Sequence, residues 1–186
     1  TDRLDCLFED ASGALWIGTD GGLSEWRPES QRFVNRGHRD TDRTSLSDDR
    51  VLSLYQDRGG VLWVGTQGGG LNKWNTATGS FALVRSDAAS SSTLTSDRIS
   101  SFASAPDGTL WVGTSSGLSR LDRRTGSVQA YRHDPKDPGS LSDDRVMSLL
   151  LDRAGRLWVG TYEGGLNRLD PATGRFQRHQ PDPEDE

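Results

Sequence analysis

The sequence predicts an all-β protein in which one four-stranded antiparallel unit occurs four times. The motif LW[IV]GT recurs with its tryptophan at 16, 63, 111 and 158, so the period is 47 or 48 residues. Each period holds four short apolar runs separated by Asp- and Gly-rich turns. These runs are too short for helices and lack a 3.6-residue period. Four antiparallel strands in each such period are typical of the blade of a β-propeller, so we expect four blades.

The similarity between copies indicates duplication of one structural unit. Residues 45–81 and 140–176 are identical at 25 of 37 positions. We place the blades at 1–39, 48–86, 96–133 and 143–180, followed by an acidic tail at 181–186.

Within the second copy, the order of runs and turns predicts a meander. The runs are VLSLYQ (51–56), VLWVGT (61–66), GLNKW (70–74) and SFALV (80–84). The links DRGG, TQGGG and NTATG between them are short turns that join antiparallel strands. The third copy departs from this pattern, with Ala105-Pro106-Asp107-Gly108 as its first turn and Ser116-Gly117 in its second.

Composition excludes several classes of partner. The 22 basic and 27 acidic residues leave a net charge of −5, so we expect no nucleic-acid partner. With neither a polybasic patch nor a long apolar run, we expect no direct membrane contact from this segment. Cys6 is the only cysteine, so no disulfide can form within one chain.

The repeated motif identifies a family resemblance. The pattern D-x-x-G-x-LW[IV]GT-x-x-GGLN-[RK], followed by TG-x-F and SLSDDRV, closely resembles the two-component regulator propeller repeat. The resemblance covers the whole chain. It implies an extracytoplasmic, periplasmic propeller of the kind carried by bacterial sensor histidine kinases, hybrid sensors and diguanylate cyclases, commonly with seven blades. It therefore also implies a ligand-sensing segment that passes its signal to a downstream output domain.

No catalytic or metal-binding constellation stands out, so we expect a non-catalytic protein without a cofactor or metal. Residues 113–117 match the nucleophile pattern G-x-S-x-G, but the aligned segments of the other blades show that Ser115 occupies a variable hairpin position. The Asp residues in 134–139 and 40–42 lack the spacing of a calcium loop. The LW[IV]GT tryptophans occur in every blade, so we expect them to form the core between blades.

Long linkers and the second hairpin turn of each blade are expected to share one face, where ligand binding would concentrate. Four variable residues follow the Thr of each LW[IV]GT motif: Asp20, Gln67, Ser115 and Tyr162. Tyr162 is the best candidate for a ligand contact, because it alone is aromatic. His38 and His133 hold equivalent linker positions, either in one shared site or, as we favour, as solvent-facing linker residues.

An arginine precedes the innermost strand of every blade: Arg3, Arg50, Arg98 and Arg145. These side chains either form a cationic ring suited to a carboxylated or sulfated ligand, or pair with their neighbouring Asp residues to close each blade. The expected ligand is an unidentified small molecule or glycan.

Two alternative functions and the way in which the blades close stay open. The alternatives are a carbohydrate-active propeller enzyme, either a glycosidase or a lyase, and a protein-binding scaffold. Four blades leave two end faces, which either meet in a tight four-bladed wheel or pair between two chains in an eight-bladed ring. We favour self-association through the end blades.

Overall fold

A computed structural model describes residues 3–87, 89–90 and 92–179, and all regular secondary structure in these residues is β-strand. The predicted acidic tail, 181–186, and Gln180 at the end of the fourth blade lie outside the described residues.

Sixteen strands form four four-stranded antiparallel sheets, each a meander in chain order. The first sheet holds β1 (Leu4–Glu9), β2 (Leu15–Thr19), β3 (Gly22–Arg27) and β4 (Arg32–Arg36). The second holds β5 (Val51–Gln56), β6 (Leu62–Thr66), β7 (Leu71–Asn75) and β8 (Ser80–Val84). The third holds β9 (Ile99–Ser104), β10 (Thr109–Thr114), β11 (Gly117–Asp122) and β12 (Val128–Tyr131). The fourth holds β13 (Val146–Leu151), β14 (Leu157–Thr161), β15 (Leu166–Asp170) and β16 (Arg175–His179). The expectation of an all-β propeller with four blades in this chain is confirmed.

The chain forms two compact units, each with its own core. Unit 1 runs to Ser86 and includes Asp97–Ile99, and unit 2 comprises Asp87–Ser96 and the chain from Ser100 onward. In unit 1, Trp16 and Leu23 of the first blade pack against Val51 and Val64 of the second. In unit 2, the third and fourth blades pack in the same way, through these core residues: Trp111, Leu118, Val146, Val159 and Leu169.

One carboxylate closes the first turn of a blade and holds its tryptophan. Asp57 Oδ1 accepts the backbone N–H groups of Gly59 and Val61, while Oδ2 accepts the indole N–H of Trp63 at 2.9 Å. Gly60 completes this turn with a φ of +80°, a conformation that favours glycine. The same carboxylate–indole bond joins Asp10 to Trp16 at 2.8 Å and Asp152 to Trp158 at 2.9 Å. The motif D-x-x-G-x-LW therefore encodes a hydrogen-bonded clamp.

These hydrogen bonds lower the pKa of two of the clamp carboxyl groups, those of Asp10 and Asp152. The indole N–H of Trp158, followed by the backbone N–H of Arg156, sets the pKa of Asp152 well below its usual range. Partial burial pushes the pKa of Asp10 upward, but hydrogen bonds from Ser12 and Trp16 outweigh it, so the net shift is downward. Since both folded pKa values are depressed, both clamps are complete near neutral pH and weaken as the pH falls through the acidic range.

The four repeat tryptophans are not equally buried. Trp16, Trp63 and Trp111 are buried, as expected, whereas Trp158 is half-buried. The difference arises because Trp158 lies on the side of the fourth blade that no following blade covers within unit 2.

We expect Trp63→Ala to lower the free energy of unfolding by about 3–5 kcal/mol, because it empties a buried site and leaves Asp57 without its indole donor. Trp158→Ala should cost clearly less, because one side of that ring is already open. Urea unfolding followed by circular dichroism measures both values. A loss below about 1 kcal/mol for Trp63→Ala would contradict its place in the core.

The third blade lacks the clamp, because Ala105 stands where the other blades carry the aspartate. We expect Ala105→Asp to supply the missing acceptor for Trp111 and to raise the stability by about 1 kcal/mol, the usual net value of one hydrogen bond. For a chain of this size, that gain corresponds to a melting temperature about 2–4 °C higher. Ala105→Ser, whose side chain is too short to reach the indole, is the matched control, and equal melting temperatures would contradict the clamp.

Candidate ligand-binding surface

Within each unit, the linkers and second hairpin turns lie together at one end of the blades, and we call this surface of a unit its linker face. In unit 1, the backbone N–H of Gly70, in a second turn, donates to the carbonyl of Asp97 at 2.9 Å. In unit 2, Gly117 donates to Asp144 at 2.7 Å in the same way. Turn and linker are therefore joined directly by backbone hydrogen bonds.

The Asp of each linker Asp-Arg pair secures the linker to the preceding outermost strand. Asp49 Oδ1 accepts the backbone N–H of His38, Asp97 Oδ1 that of Ser86, and Asp144 Oδ1 that of His133, each at 2.6 Å. The alignment of these three acceptor positions is visible in the sequence, but their bonding to the backbone could not be inferred from it. These aspartates shape the linker face.

A buried amide secures the other end of the linker in two blades. Asn72 accepts the backbone N–H of Ser47 at 3.1 Å and donates to its Oγ at 2.7 Å. Asn167 makes the equivalent pair of bonds with Ser142. Asn72 and Asn167 are fully buried, so the second anchor of the linker lies inside the blade.

Arg3, Arg50 and Arg145 of the predicted set bind carboxylates. Arg3 and Arg50 both contact Asp5, with Nε–Oδ distances of 3.2 and 3.4 Å. Arg145 contacts Asp143 at 3.3 Å and Glu163 at 2.7 Å. The side chain of Arg98 is exposed. The acidic partners agree with the structural role that the sequence left open, and a role in ligand binding stays a prediction.

Tyr162 and Arg145 form an exposed cation–aromatic pair on the linker face of unit 2. Tyr162 is 60% exposed, and the guanidinium carbon of Arg145 lies 4.2 Å from the centre of its ring. The backbone N–H of Tyr162 also donates to the carbonyl of Arg145 at 2.9 Å. The hydrogen bond that Arg145 donates to Asp143 raises the pKa of Arg145, so the cation is permanent.

The other three predicted contact residues differ in accessibility. Gln67 is half-buried, and its Oε1 is buried without a hydrogen-bond partner among the described residues. Ser115 Oγ lies 3.0 Å from Ser96 Oγ, while Asp20 is exposed. Among the four equivalent positions, Tyr162 therefore offers an exposed aromatic surface.

The two linker histidines are each bound within their own linker. His38 Nδ1 lies 2.7 Å from the carbonyl of Leu46, and His133 Nδ1 lies 2.7 Å from that of Leu141. The side chain of His38 is 39% exposed, and its Nε2 contacts Asp40 at 3.0 Å. These bonds give both residues a structural role in the linkers.

Each unit also contains a cleft. One, of about 360 Å³, lies on the first linker in unit 1 and is lined by His38, Arg39, Arg43 and Arg85 among others. The other, of about 350 Å³, lies in unit 2 beside the first turn of the third blade and includes Ala105, Trp111, Arg120 and Tyr131. No sequence motif predicts the second cleft. The signal that could have indicated it is Ala105, which replaces the clamp aspartate and lines the cleft.

Two features are absent from the described part of the chain, a metal-binding cluster and a membrane-spanning helix. Within it, no group of three or more His, Cys, Asp or Glu side chains is arranged to hold a metal ion. The same residues contain no helix long and apolar enough to cross a membrane.

We expect the pKa of His38 to lie above the ordinary value of about 6.5, because the Leu46 carbonyl and the Asp40 carboxylate both favour the protonated ring. Its contribution to stability is then complete below that value and is lost as the pH rises through the folded pKa. Asp40→Asn should lower the pKa of His38 in an NMR titration, whereas Glu29→Gln, in a distant turn, should not. An unchanged His38 pKa in Asp40→Asn would contradict the contact.

Comparison with known families yields two matches. The model of the SMP-30/Gluconolactonase/LRE-like region matches residues 52–185, and the two component regulator propeller model matches residues 2–21. A comparison with curated proteins finds no match.

Solved structures share the fold. The extracellular domain of BT3049 from B. thetaiotaomicron, assigned as a hybrid two component system, has a TM-score of 0.85 at 24% identity, over 97% of this chain and 25% of that chain. The extracellular domain of BT4673 from the same organism, assigned as a one component system, has a TM-score of 0.77 at 23% identity. The match covers 95% of this chain and 25% of that chain. Virginiamycin B lyase from Staphylococcus aureus has a TM-score of 0.69 at 12% identity, and the match covers 97% of this chain and 56% of that chain.

At these identities the likenesses show the fold, and the chain spans about a quarter of the length of the two extracellular domains. The resemblance to the two-component regulator propeller repeat is confirmed. Residues 2–21 match the two component regulator propeller model, and since the other family model covers more than half of the chain, the protein belongs to the SMP-30/Gluconolactonase/LRE-like family.

Proposed function

We propose that this chain is a non-catalytic ligand-sensing segment of an extracytoplasmic propeller in a bacterial two-component-type receptor. It binds a ligand on the linker face and passes the signal to a downstream output domain. The repeat family and the extracellular sensor domains that share the fold support the sensor role and an extracytoplasmic, periplasmic location.

The Tyr162–Arg145 pair carries the proposal for the binding site. Tyr162 presents an open aromatic ring on a strand–turn scaffold, and Arg145 presents a guanidinium beside it. An aromatic face accepts the apolar face of a sugar ring, and a guanidinium binds carboxylate or sulfate with two hydrogen bonds. This pair therefore fits an acidic glycan or a small carboxylated molecule. Glu163, which is exposed and bound to Arg145, is the carboxylate that such a ligand would displace.

A carbohydrate-active propeller enzyme is the second candidate function. The SMP-30/Gluconolactonase/LRE-like match over residues 52–185 is the observation that favours it, and a lyase is among the proteins with the same fold. The two functions differ in one measurable property, which is turnover of the bound molecule.

The test combines binding and product analysis. Oligogalacturonates and sulfated glycosaminoglycan fragments serve as acidic probes, and neutral oligosaccharides of equal length serve as controls. Isothermal titration measures binding, and mass spectrometry of the same mixtures detects any product. We expect acidic probes to bind without conversion.

Substitutions locate the site. Tyr162→Ala should weaken binding of the acidic probe at least about fivefold, since the aromatic contact is worth roughly 1 kcal/mol or more. Tyr162→Phe, which keeps the ring, should bind normally, and both variants should melt like the parent protein because the side chain is exposed. Unchanged binding of the acidic probe by Tyr162→Ala would show that the ligand site does not include this pair. Product formation would favour the enzyme.

A further inference from the structure

The cleft of unit 2 lies in the joint between the third and fourth blades, at the end of the blades opposite the linker face. Its volume of about 350 Å³ is within the usual range of small-molecule sites. The third blade contributes its first turn, and the fourth blade contributes its first and third turns through Gly155 and Pro171. We call this space the first-turn cleft, and its side-chain walls include these residues: Trp111, Arg120, Tyr131, Leu151, Leu157 and Leu169.

In unit 1, an aromatic ring fills the corresponding space between the first and second blades. Trp74 is buried and packs edge-on against Trp16, with ring centroids 6.4 Å apart. The register of the fourth blade places Leu169 at the position of Trp74. Because a leucine side chain is much smaller than an indole, this difference leaves room beside Trp111 in unit 2.

A hydrogen bond that closes the joint in unit 1 cannot form in unit 2. Gln56 Oε1 accepts the backbone N–H of Ala11 at 2.7 Å, across the two blades. The equivalent residues in unit 2 are Leu151, whose side chain has no polar atom, and Pro106, which has no backbone N–H. Both line the cleft. The residues of unit 2 therefore open the joint at its first-turn end.

The wall of the first-turn cleft also holds a hydrogen-bond donor whose usual acceptor is absent. In the first blade, the indole N–H of Trp16 donates to Asp10 at 2.8 Å, but Ala105 stands at that position in the third blade. Within the described residues, the hydrogen bonds of this turn leave the indole N–H of Trp111 without an acceptor. The position of the missing carboxylate borders the cleft, because Ala105 and Trp111 both line it.

The guanidinium of Arg120 adds a positive charge to the same wall. Its carbon lies 5.9 Å from the centre of the Trp111 ring, and the side chain is 44% exposed. Its contact with Asp107 Oδ2 is 3.9 Å long, too long for a hydrogen bond, and Asp107 Oδ1 accepts the backbone N–H of Thr109 at 2.9 Å. Arg120 therefore keeps donors for a closer ion pair. At the equivalent position of the first blade, Glu25 carries the opposite charge.

We propose that the first-turn cleft binds a small carboxylic acid with an apolar body. The ligand carboxylate takes the place of the absent clamp aspartate, where it accepts the indole N–H of Trp111 and pairs with Arg120. The apolar body lies against Leu157 and Leu169, in the space that an indole ring fills in unit 1. The site lies at the other end of the blades from the linker face, so it is independent of the proposed function.

NMR of the indole N–H groups in isotope-labelled protein tests the proposal. Phenylacetate is the probe, and phenylacetamide, its neutral amide of nearly equal size, is the control. The signal of Trp111 is the one missing from the spectrum of Trp111→Phe. We expect phenylacetate to shift this signal saturably and to bind at least about tenfold more tightly than the amide, the effect of one charge-assisted hydrogen bond. No shift, or equal binding of acid and amide, would overturn the proposal.

Two substitutions copy features of unit 1 into the cleft by different means. Ala105→Asp supplies the clamp carboxylate, so phenylacetate should bind at least about tenfold more weakly, because the acceptor position is occupied and the charges repel. Leu169→Trp supplies the ring that fills the space, so it should weaken binding of the acid and the amide alike. Ala105→Ser and Leu83→Trp, the latter at an exposed position of β8, are the matched controls and should bind the acid normally.

A third substitution removes the cation. Arg120→Gln should bind phenylacetate several-fold more weakly and leave the amide unaffected. Arg168→Gln, the same change at the equivalent position of the fourth blade, should bind the acid like the parent protein. Circular dichroism melting verifies that each variant is folded. Unchanged binding of the acid by either Ala105→Asp or Leu169→Trp, as folded protein, would overturn the proposal.

Discussion

Burial of the blade faces is the constraint on which the remaining structure depends. A four-stranded sheet with apolar residues on both sides cannot bury either side by itself, so each blade needs a neighbour on each face. The core of unit 1 forms where Trp16 and Leu23 meet Val51 and Val64, and the core of unit 2 repeats the arrangement. The glycines of LW[IV]GT allow this contact, because a side chain at Gly18 or Gly113 would occupy the space of the incoming strand.

Polar groups that bond to the backbone convert that packing into a defined surface. Asp57 closes a first turn while holding Trp63, and Asp49 and Asn72 secure the two ends of a linker. Because each of these groups bonds to the backbone, the long linkers are held at both ends rather than left to sample many conformations. Recognition on the linker face would then use loops that are already ordered, so less conformational entropy is lost on binding.

Positions where one copy departs from the other three are candidates for a role that the remaining copies do not share. Ala105 replaces a clamp aspartate and borders a cleft, while Tyr162 places an aromatic ring where the other copies carry polar side chains. Leu166 departs in a different manner. The other copies also carry leucine at this position, and only the exposure of the side chain differs, because no blade follows it in unit 2. The first kind of departure can be found in a sequence, whereas the second requires coordinates.

The sequence by itself determined the all-β fold, the number of blades, the strand order and, within each unit, the placement of linkers and second turns at the same end of the blades. These properties follow from local chemistry, namely turn residues, run lengths and a period that repeats four times. Only the tertiary structure showed that Asp49 bonds to a backbone N–H rather than to an arginine, that Arg50 reaches Asp5, and that Arg145 lies over Tyr162. Such partners lie in different turns or blades, and their distances depend on how the strands pack, which no pattern along the chain encodes.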